Sequence, residues 1–422
     1  MFTAFSTALS ALNAMSTAVD VVGNNLANLN TPGFKTNAVY FRDLISQSLD
    51  AGLGETQVGF GTGRPFTIRQ FTQGALQAST GLLDAAVQGD GFFVVNNSQG
   101  SPLYTRAGNF QVDGSGYLRT NSGERVQGWT NIDSITGAVQ TSGATGDIVV
   151  PVGAAKQPVP SSRFTLDLNL NSTAAADATS RFSDTIRVYD TLGTAHVLTV
   201  RFEKTGANQW TYNVTIPGDE VTGGTAGTPF DVSGASGTMT FGPDGLMTAP
   251  AAGAPIAFDV PGLSTGASDM HLEWNPFTAA GVGRITQFGQ PSAASASTQN
   301  GSPAAQLVRV GLSDGGHILA QYSDGQQIVV AQLALASVRN PDSLIAAGNN
   351  NFQISARTAT PAVGLPNTGG RGDVVGGSIE SSTVDIAHEF TQLIVLQRGY
   401  QANSRVITTV DEMSQETINL KH

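Results

Sequence analysis

The two ends of this 422-residue chain carry matched amphipathic patterns, and the sequence between them has a different composition. Narrow apolar stripes with steps of three and four residues are typical of coiled-coil seams. Two such stripes at opposite ends predict helices that meet each other and then need further partners. The stripes consist of Phe5, Leu9, Leu12, Met15, Val19, Val22 and Leu26 at one end, and of Ile386, Phe390, Leu393, Leu396, Tyr400, Ile407 and Val410 at the other.

The first stripe runs to about Asn28 and stops at the helix-breaking residues 30–33, Asn-Thr-Pro-Gly. A helix of about 26 residues would be about 39 Å long. The second stripe follows residues 381–385, which offer N-cap side chains. Isolated helices are marginal in water, so we expect both to be largely disordered in the monomer and to order against neighbours. A plain core helix of a soluble domain is the alternative for the first stripe.

The middle of the chain has the composition of β-rich modules joined by tight turns, with 50 glycines and only 13% charged residues. Runs of β-forming residues between turn signals predict strands. These runs are residues 71–74, 86–95, 104–106, 185–189, 197–202, 210–214, 305–312 and 328–335. Residues 52–63 and 364–377 are glycine-rich, the second passage is predicted to be irregular, and residues 292–300 read as a linker.

These patterns predict a mainly β fold with long terminal α-helices and nested β-domains. A discontinuous inner β-domain would carry an inserted outer domain that is barrel-like. The expected boundaries are residues 1–30 and 382–422 for the helical domain, 31–70 and 364–381 for a connecting region, 71–150 and 292–363 for the inner β-domain, and 151–291 for the inserted domain.

Composition also excludes several classes of function. The net charge of −11 argues against nucleic acid and anionic membranes as partners. The absence of cysteine excludes disulfides, thiolate metal sites and thiol nucleophiles. The five histidines are scattered, and no pair of carboxylates can be placed in a cleft. We therefore expect no enzymatic activity, no metal and no cofactor. No secretory signal is visible, so export would use an uncleaved, non-classical signal.

Three blocks of sequence, in the right order, resemble the bacterial flagellar rod and hook axial protein family. One block follows the first stripe, one lies in the β-region, and one lies within the second stripe. They are Asn24 to Asn28 with Thr31, Gly33, Phe34 and Lys35; Gly89 to Phe93 with Tyr104 to Gly108; and Leu393, Ile394, Gln397, Arg398, Tyr400 to Ser404 and Asp411 to Met413.

Rod members of that family lack a large inserted domain, whereas residues 188–193 with Trp210 are similar to the outer domain of its hook members. The resemblance thus implies a structural subunit of the flagellar hook, a curved tube that passes torque from rod to filament. Its helices would line the tube and the inserted domain would lie outermost. A straight, distal-rod-like drive shaft is one alternative, and a secreted β-rich adhesin or polysaccharide-active protein is another.

The partners that the resemblance implies are copies of the same chain, the distal rod, the hook cap, the hook–filament junction proteins and the export apparatus. It implies an extracellular location in the flagellum, with no membrane insertion. Glycine-rich joints at residues 52–63 and 364–377 would let domains shift between neighbours.

The predicted polymerisation seam combines apolar stripe residues with amides from the resembling blocks. The amides would make hydrogen bonds between subunits, although asparagine also marks a poor helix end. A possible export motif is Phe41 with Ile45, and Phe5 with Leu9 fits it equally well. The seam residues are Phe5, Leu9, Leu12, Val19, Val22, Asn24, Asn25, Leu26, Asn28, Phe390, Leu393, Gln397, Arg398, Tyr400, Asn403, Ile407 and Val410.

Overall fold

The computed structural model describes residues 2–44, 47–49, 56–133, 138–177 and 179–419. The chain divides into two compact units. The first takes in Met1–Val152, Arg309–Gln321 and Gln327–His422, and the second takes in Gly153–Val308 and Tyr322–Gln326. The expected fold class, mainly β with long terminal helices and nested β-domains, is confirmed.

The two terminal helices, α1 (Phe2–Ala27) and α2 (Ile386–Asn419), pack against each other within the first unit. Their directions are opposite, because Asn25 near the end of α1 meets Glu389 at the start of α2. Small residues let the backbones approach closely. A Cβ on Gly399 would lie 2.7 Å from the Cε of Met15. The buried face of α1 consists of Ala8, Ala14, Ala18, Val22 and Asn25.

The start of α2 is capped as its sequence predicts. The Asp385 carboxylate accepts a hydrogen bond of 3.1 Å from the backbone N–H of His388, and the Asp385 carbonyl accepts the first helical bond from Glu389. At the other helix, α1 ends before the residues 30–33 that were predicted to stop it.

The strands of the first unit come from both sides of the insertion. Those before it are β1 (Asn37–Tyr40), β2 (Gln47–Leu49), β3 (Thr56–Val58), β4 (Phe66–Arg69), β5 (Leu76–Ala78), β6 (Ala85–Gln88), β7 (Phe92–Asn96), β8 (Pro102–Thr105), β9 (Phe110–Val112), β10 (Leu118–Thr120), β11 (Arg125–Trp129) and β12 (Gly146–Asp147).

The inserted unit contains two five-stranded sheets that share one hydrophobic core. Within this core the rings of Phe164 and Trp274 stack with centroids 6.0 Å apart. Its strands are β13 (Arg163–Asn171), β14 (Arg181–Tyr189), β15 (Ala195–Gly206), β16 (Gln209–Pro217), β17 (Pro229–Phe241), β18 (Met247–Ala249), β19 (Ile256–Val260), β20 (Met270–Trp274), β21 (Ile285–Phe288) and β22 (Ala293–Gln299).

Of the remaining strands, β23 to β29 complete the large sheet, which runs in the order β23, β24, β25, β11, β7, β8, β28, β27 with short strands attached, whereas β30 and β31 form separate two-stranded sheets with β6 and β5. Short 3-10 turns lie at Gly218–Glu220, Asp314–Gly316 and Pro341–Ser343. These strands are β23 (Leu307–Ser313), β24 (His317–Tyr322), β25 (Gln327–Leu333), β26 (Leu335–Ser337), β27 (Ile345–Gly348), β28 (Asn351–Gln353), β29 (Ala362–Gly364), β30 (Asp373–Gly376) and β31 (Ser378–Glu380).

Three local predictions are wrong. Residues 71–74 are not a strand, because the Thr72 carbonyl and the Gly74 N–H bond to buried charged side chains instead of a neighbouring strand. Residues 373–376, predicted to be irregular, form β30 and pair with β6. The predicted linker at 292–300 contains β22, whose polar side chains are exposed while its backbone pairs with β13.

Candidate interaction surface and the buried charge cluster

The paired helices bury one face against each other and leave large apolar side chains on the outside. In α1, Phe5 and Leu9 are 41% and 45% exposed, and in α2, Phe390 and Val395 are 50% and 64% exposed. Isolated exposed apolar residues are normal, but a row of them along a helix pair marks an interaction surface. The exposed apolar side chains of α2 are spread over the part of the helix that does not pack on α1, and they also include Ile386, Ile394, Tyr400, Val406, Met413 and Ile418.

The predicted seam residues therefore fall into two groups. Phe5, Leu9, Phe390 and Tyr400 are exposed and free to meet another molecule. The second group lies on the face toward the partner helix or at the edge of that face. In this group Val22 is buried and the others are half-buried. The half-buried seam residues are Leu12, Val19, Leu26, Leu393, Ile407 and Val410.

The seam amides are similarly divided. The Asn25 side chain is bonded entirely inside the chain, to both backbone groups of Asn37 (2.9 and 3.1 Å) and to Glu389 (3.0 Å). Asn403 donates to the Gly399 carbonyl one turn earlier in α2, and Asn28, the residue after α1, donates to the Asn24 carbonyl in the last turn of α1. Among the described residues, the side chains of Asn24, Gln397 and Arg398 have no hydrogen-bond partner, and all three are exposed.

Glu389 is a buried carboxylate between the helices, 3% exposed. Its Oε1 accepts from Asn25, but its Oε2 has no hydrogen-bond partner in the described part of the chain. Burial raises the pKa of Glu389, while the Asn25 hydrogen bond and the neighbouring His388 oppose the shift and Asp385 adds to it. Protonation of this carboxyl therefore favours the packed helix pair.

Below the helices lies a cluster of three buried charged side chains, Lys35, Arg106 and Glu380, which we call the buried charge cluster. Lys35 and Glu380 are fully buried and 2.6 Å apart, and Arg106 lies 3.4 Å from the second carboxylate oxygen. Backbone groups complete the site. Lys35 also donates to the Thr72 carbonyl at 2.5 Å, and the Gly74 N–H donates to Glu380 at 2.7 Å.

Burial lowers the pKa of both Lys35 and Arg106, and the Glu380 carboxylate opposes the shift in each case. Arg106 is held further by a 2.8 Å hydrogen bond to the Gly89 carbonyl and by the Phe92 ring, 5.3 Å from its guanidinium. Charges so deeply buried are stable only when paired and hydrogen-bonded, and here each is paired, although the Nε of Arg106 has no hydrogen-bond partner among the described residues.

The buried charge cluster lies where the chain leaves α1 and where it enters α2. The Gly33 N–H donates to the Glu380 carbonyl at 2.8 Å, and the Thr36 N–H donates to Thr383 at 3.0 Å. Gly33 has a φ of +68°, and a Cβ there would lie 2.6 Å from the Arg106 backbone. The cluster thus fastens the segment leaving α1 and the segment entering α2 to the same β-core.

Sequence reasoning found only part of this cluster. Lys35 and Arg106 stand in two of the resembling blocks, but Glu380 was not singled out. The available signal was an isolated carboxylate at the end of the glycine-rich passage, in a chain with few charges.

The inserted unit has a separate buried polar cluster around His196. Its Nδ1 lies 2.6 Å from Glu220, and its Nε2 lies 3.2 Å from Asp190. Burial alone would raise the pKa of Asp190, but hydrogen bonds from Thr194, His196 and Thr265 hold it below its usual range. The Asp190 carboxylate also accepts hydrogen bonds from the backbone N–H groups of Leu192 and Thr194, so the cluster stabilises the 190–193 turn. No group of side chains in the described residues has metal-binding geometry.

The possible export motif lies partly outside the described residues. Phe41 is 45% exposed and lines a 270 Å³ pocket beside the helix pair, whereas Ile45 is not among the residues that the structure describes. Neither α1 nor α2 is long and apolar enough over its described residues to cross a membrane.

Comparison with known protein families gives four matches that together cover most of the chain. Residues 5–35 match "Flagella basal body rod protein", and residues 86–160 match "Flagellar hook protein FlgE/F/G D1 domain". Residues 155–302 match "Flagellar basal body protein FlaE D2 domain", and residues 375–420 match "Flagellar basal body rod FlgEFG protein C-terminal".

Individual relatives match over nearly their whole length. The flagellar hook protein FlgE of Borreliella burgdorferi is 32% identical, with 98% of each chain covered. That of Escherichia coli K12 is 30% identical, with 99% of this chain and 100% of the relative covered. The crystal structure of Helicobacter pylori flagellar hook protein FlgE2 shares the fold, with a TM-score of 0.52 and 14% identity over 71% of this chain and 99% of that one.

Proposed function

This chain belongs to the flagellar hook protein family and is a structural subunit of the bacterial flagellar hook, and we propose that its copies polymerise through the outer faces of α1 and α2. The observation that carries the proposal is the exposed apolar row on the helix pair. One face of each helix is satisfied inside the chain, and Phe5, Leu9, Phe390 and Tyr400 remain for a neighbour.

A contact of this kind joins two different surfaces of identical subunits, and such a contact generates a helical filament when it does not close into a ring. In the resulting curved tube, the helix pairs would form the inner layer and the inserted unit the outer layer. The exposed polar side chains of Asn24, Gln397 and Arg398 would fix the register between neighbours, since apolar contacts alone are not directional.

The tube would transmit torque from rod to filament as a universal joint. The buried charge cluster supports this role because it ties both helices to the β-core by fully buried bonds. Within the glycine-rich residues 364–377, strand β30 is paired with β6, so the proposed joint is confined to the turn at Gly369 and Gly370, whose backbone is left-handed. Residues 52–63 would form the second joint.

By family likeness, the further partners would be the distal rod, the hook cap, the hook–filament junction proteins and the flagellar export apparatus. Export would proceed without a cleaved signal peptide. Phe41 with Ile45 would serve in its recognition, and Phe5 with Leu9 is an equal candidate. The family is structural, and we propose no catalytic role for any residue. The D2-type match over residues 155–302 accounts for an insertion that a rod-like drive shaft would leave unexplained.

The test is Phe390→Asp in cells that lack their own hook subunit. Phe390 is 50% exposed, so the substitution leaves the packed face of α2 untouched but places a charge in the proposed contact. We expect no hooks by electron microscopy and an unchanged β-sheet circular dichroism spectrum. Phe390→Leu is the matched control and should assemble. Normal hooks from Phe390→Asp would refute the proposed surface.

A further inference from the structure

A polar cavity in the first unit contains a positive charge that has no counter-ion among the residues that the structure describes. The cavity has a volume of 630 Å³ and lies beside the end of α1 and the hairpin formed by β27 and β28. Six of its lining residues are asparagines, and Arg69 is the sole charged side chain among the described residues that line it. A cavity of this size falls within the ~300–1,000 Å³ range of ligand sites.

Arg69 stands in contrast to Arg106, because both lie on the same aromatic cluster. The rings of Phe71, Phe92 and Phe352 pack edge to face, with centroids 5.3 to 6.0 Å apart. Arg106 lies over Phe92 and is neutralised by Glu380. The Arg69 guanidinium lies 4.9 Å from the Phe352 centroid, yet among the described residues it makes no ion pair.

The carboxylate nearest in sequence to the cavity wall is not available to Arg69. Glu124 accepts hydrogen bonds from Ser122 (2.6 Å), from Asn351 (2.8 Å) and from Thr120. Burial lowers the pKa of Arg69 and no acid opposes the shift, so no carboxylate of the described chain stabilises its charge. Arg106 has a carboxylate within hydrogen-bond distance, that of Glu380, and Arg69 has no equivalent partner among the described residues.

Further groups in the cavity suit a carboxylate. The Asn109 side chain has no hydrogen-bond partner among the described residues. The Asn121 side chain accepts from Gln111 through its oxygen, and its amide N–H groups have no acceptor in the described part of the chain. A guanidinium together with amide donors is the group of side chains that recognises aspartate and glutamate.

The cavity also adjoins an open sheet edge. Strand β27 ends the large sheet, its four residues are all exposed, and Ala346 and Gly348 line the cavity. An edge strand offers unpaired backbone groups to a second polypeptide. The chain itself supplies abundant acidic side chains, 32 against 21 basic ones. Charge complementarity and the open edge together favour a second copy of this chain as the occupant.

We infer that this cavity is a docking site for an aspartate or glutamate of a neighbouring copy, with Arg69 as its counter-ion in the polymer. The inference rests on the proposed polymerisation and adds a second contact to it, away from the helix surface. The contact is charged and directional, so it would fix how neighbouring β-units are placed.

Zero-length chemical linkage tests the contact directly. Arg69→Lys places an amine in the cavity, and a carbodiimide joins that amine only to a carboxylate that touches it. Hooks assembled from this variant, grown as a mixture of ¹⁴N and ¹⁵N subunits, should yield an amide between position 69 and an Asp or Glu of another copy. Arg64→Lys is the matched control, since Arg64 is exposed, belongs to the same segment and does not line the cavity.

Asn109→Lys provides a second amine in the same cavity if Arg69→Lys does not assemble. We expect intermolecular linkage about tenfold above the Arg64→Lys control, because a charge-assisted pair holds the two groups together. Arg69→Glu should reduce the yield of hooks by about tenfold, and Arg64→Glu should not.

Hooks that assemble normally but show no linkage would overturn this inference and leave the proposed function intact. Linkage confined to one copy, for instance to Glu124, or linkage to a different protein would overturn it too. A hook yield for Arg69→Glu equal to that of Arg64→Glu would refute the role of the charge.

Discussion

Glu380→Gln removes one charge from the buried cluster while it keeps the shape of the side chain. Glutamine retains an oxygen that can accept from the Gly74 N–H, so the backbone bond of 2.7 Å has a replacement. What disappears is the counter-ion of Lys35, which lies 2.6 Å away and is fully buried, and of Arg106, which lies 3.4 Å away. The substitution therefore tests the negative charge of the cluster separately from the shape of the side chain.

The free-energy cost of Glu380→Gln follows from the burial of the ion pair. Removing one partner of a fully buried ion pair leaves an uncompensated charge and costs about 3–5 kcal/mol, whereas an exposed pair contributes at most about 1 kcal/mol. Since Lys35 and Glu380 are both 0% exposed, the first figure applies. A factor of ten corresponds to about 1.4 kcal/mol, so the opening equilibrium of this region should rise by about two to four orders of magnitude.

Hydrogen exchange measured by mass spectrometry suits this prediction, because it reports local opening in a protein that has two units. Protection should fall in peptides covering residues 33–38, 72–78 and 378–384, and it should hold in the inserted unit. Glu273→Gln is the control, since it breaks an ion pair with Arg163 whose side chains are 41% and 67% exposed.

Adding Lys35→Met to Glu380→Gln removes one of the two stranded cations, the fully buried one, and should restore part of the lost protection. Protection in Glu380→Gln within tenfold of the natural chain would refute the argument that the cluster anchors the helices. So would a double variant that is less stable than Glu380→Gln alone.

Three further predictions concern the helix pair and its attachment. The pKa of Glu389 is raised in the folded chain, so the contribution of Glu389 to helix packing is fully present below the unfolded pKa and is lost as the pH rises through the folded pKa. Glu389→Gln should therefore flatten the pH dependence of helical melting and stabilise the helix pair by about 1 kcal/mol near neutral pH. The control is Glu412→Gln, whose side chain is exposed, and an unchanged pH profile in Glu389→Gln would contradict the prediction. Gly33→Ala should destabilise the first unit by at least about 1–2 kcal/mol in thermal melting, because the backbone of Gly33 is left-handed. Gly114→Ala is the control and should be nearly neutral, since a Cβ at Gly114 would have no described atom within 4 Å. Equal melting temperatures for the two variants would refute the strain at Gly33. A chain of residues 31–385 lacks both helices but keeps the Gly33–Glu380 and Thr36–Thr383 hydrogen bonds. It should therefore be a folded monomer by light scattering and circular dichroism. An unfolded product would show that the helices are part of the core on which folding depends.

Local periodicity predicted the elements that depend on neighbours in sequence. The two terminal helices, the strands within residues 86–95 and the β-nature of the insertion all follow from spacing and turn residues. Pairing across the chain could not be predicted this way. Strand β13 has parallel partners in β20 and β21 and an antiparallel partner in β22, and nothing in residues 292–300 distinguishes a polar edge strand from a linker.

The site shows the same division between local and distant information. The apolar stripes predicted a helix surface, but the stripe contains both inward Val22 and outward Phe5, because a sequence period does not say which face meets the partner helix. Glu380 bonds to Lys35 across 345 positions of sequence, a relation that no local pattern contains. Asn25 was expected to bond between copies, yet its amide is used within the chain.

A tube that bends while it turns must keep each subunit stiff and let neighbours adjust. The two requirements call for different interactions. Within the chain, bonds such as Lys35 to Glu380 have fixed geometry and cost several kcal/mol to break, so the helix roots do not shift relative to the β-core. In the proposed contact between copies, exposed apolar side chains such as Phe390 and Val395 would move against a neighbour without breaking a directional bond, since the free energy of apolar burial depends on the area buried and not on an angle. The buried charge cluster and the exposed apolar side chains of the helix pair are thus two local departures from an otherwise ordinary apolar core, and each suits one of the two requirements.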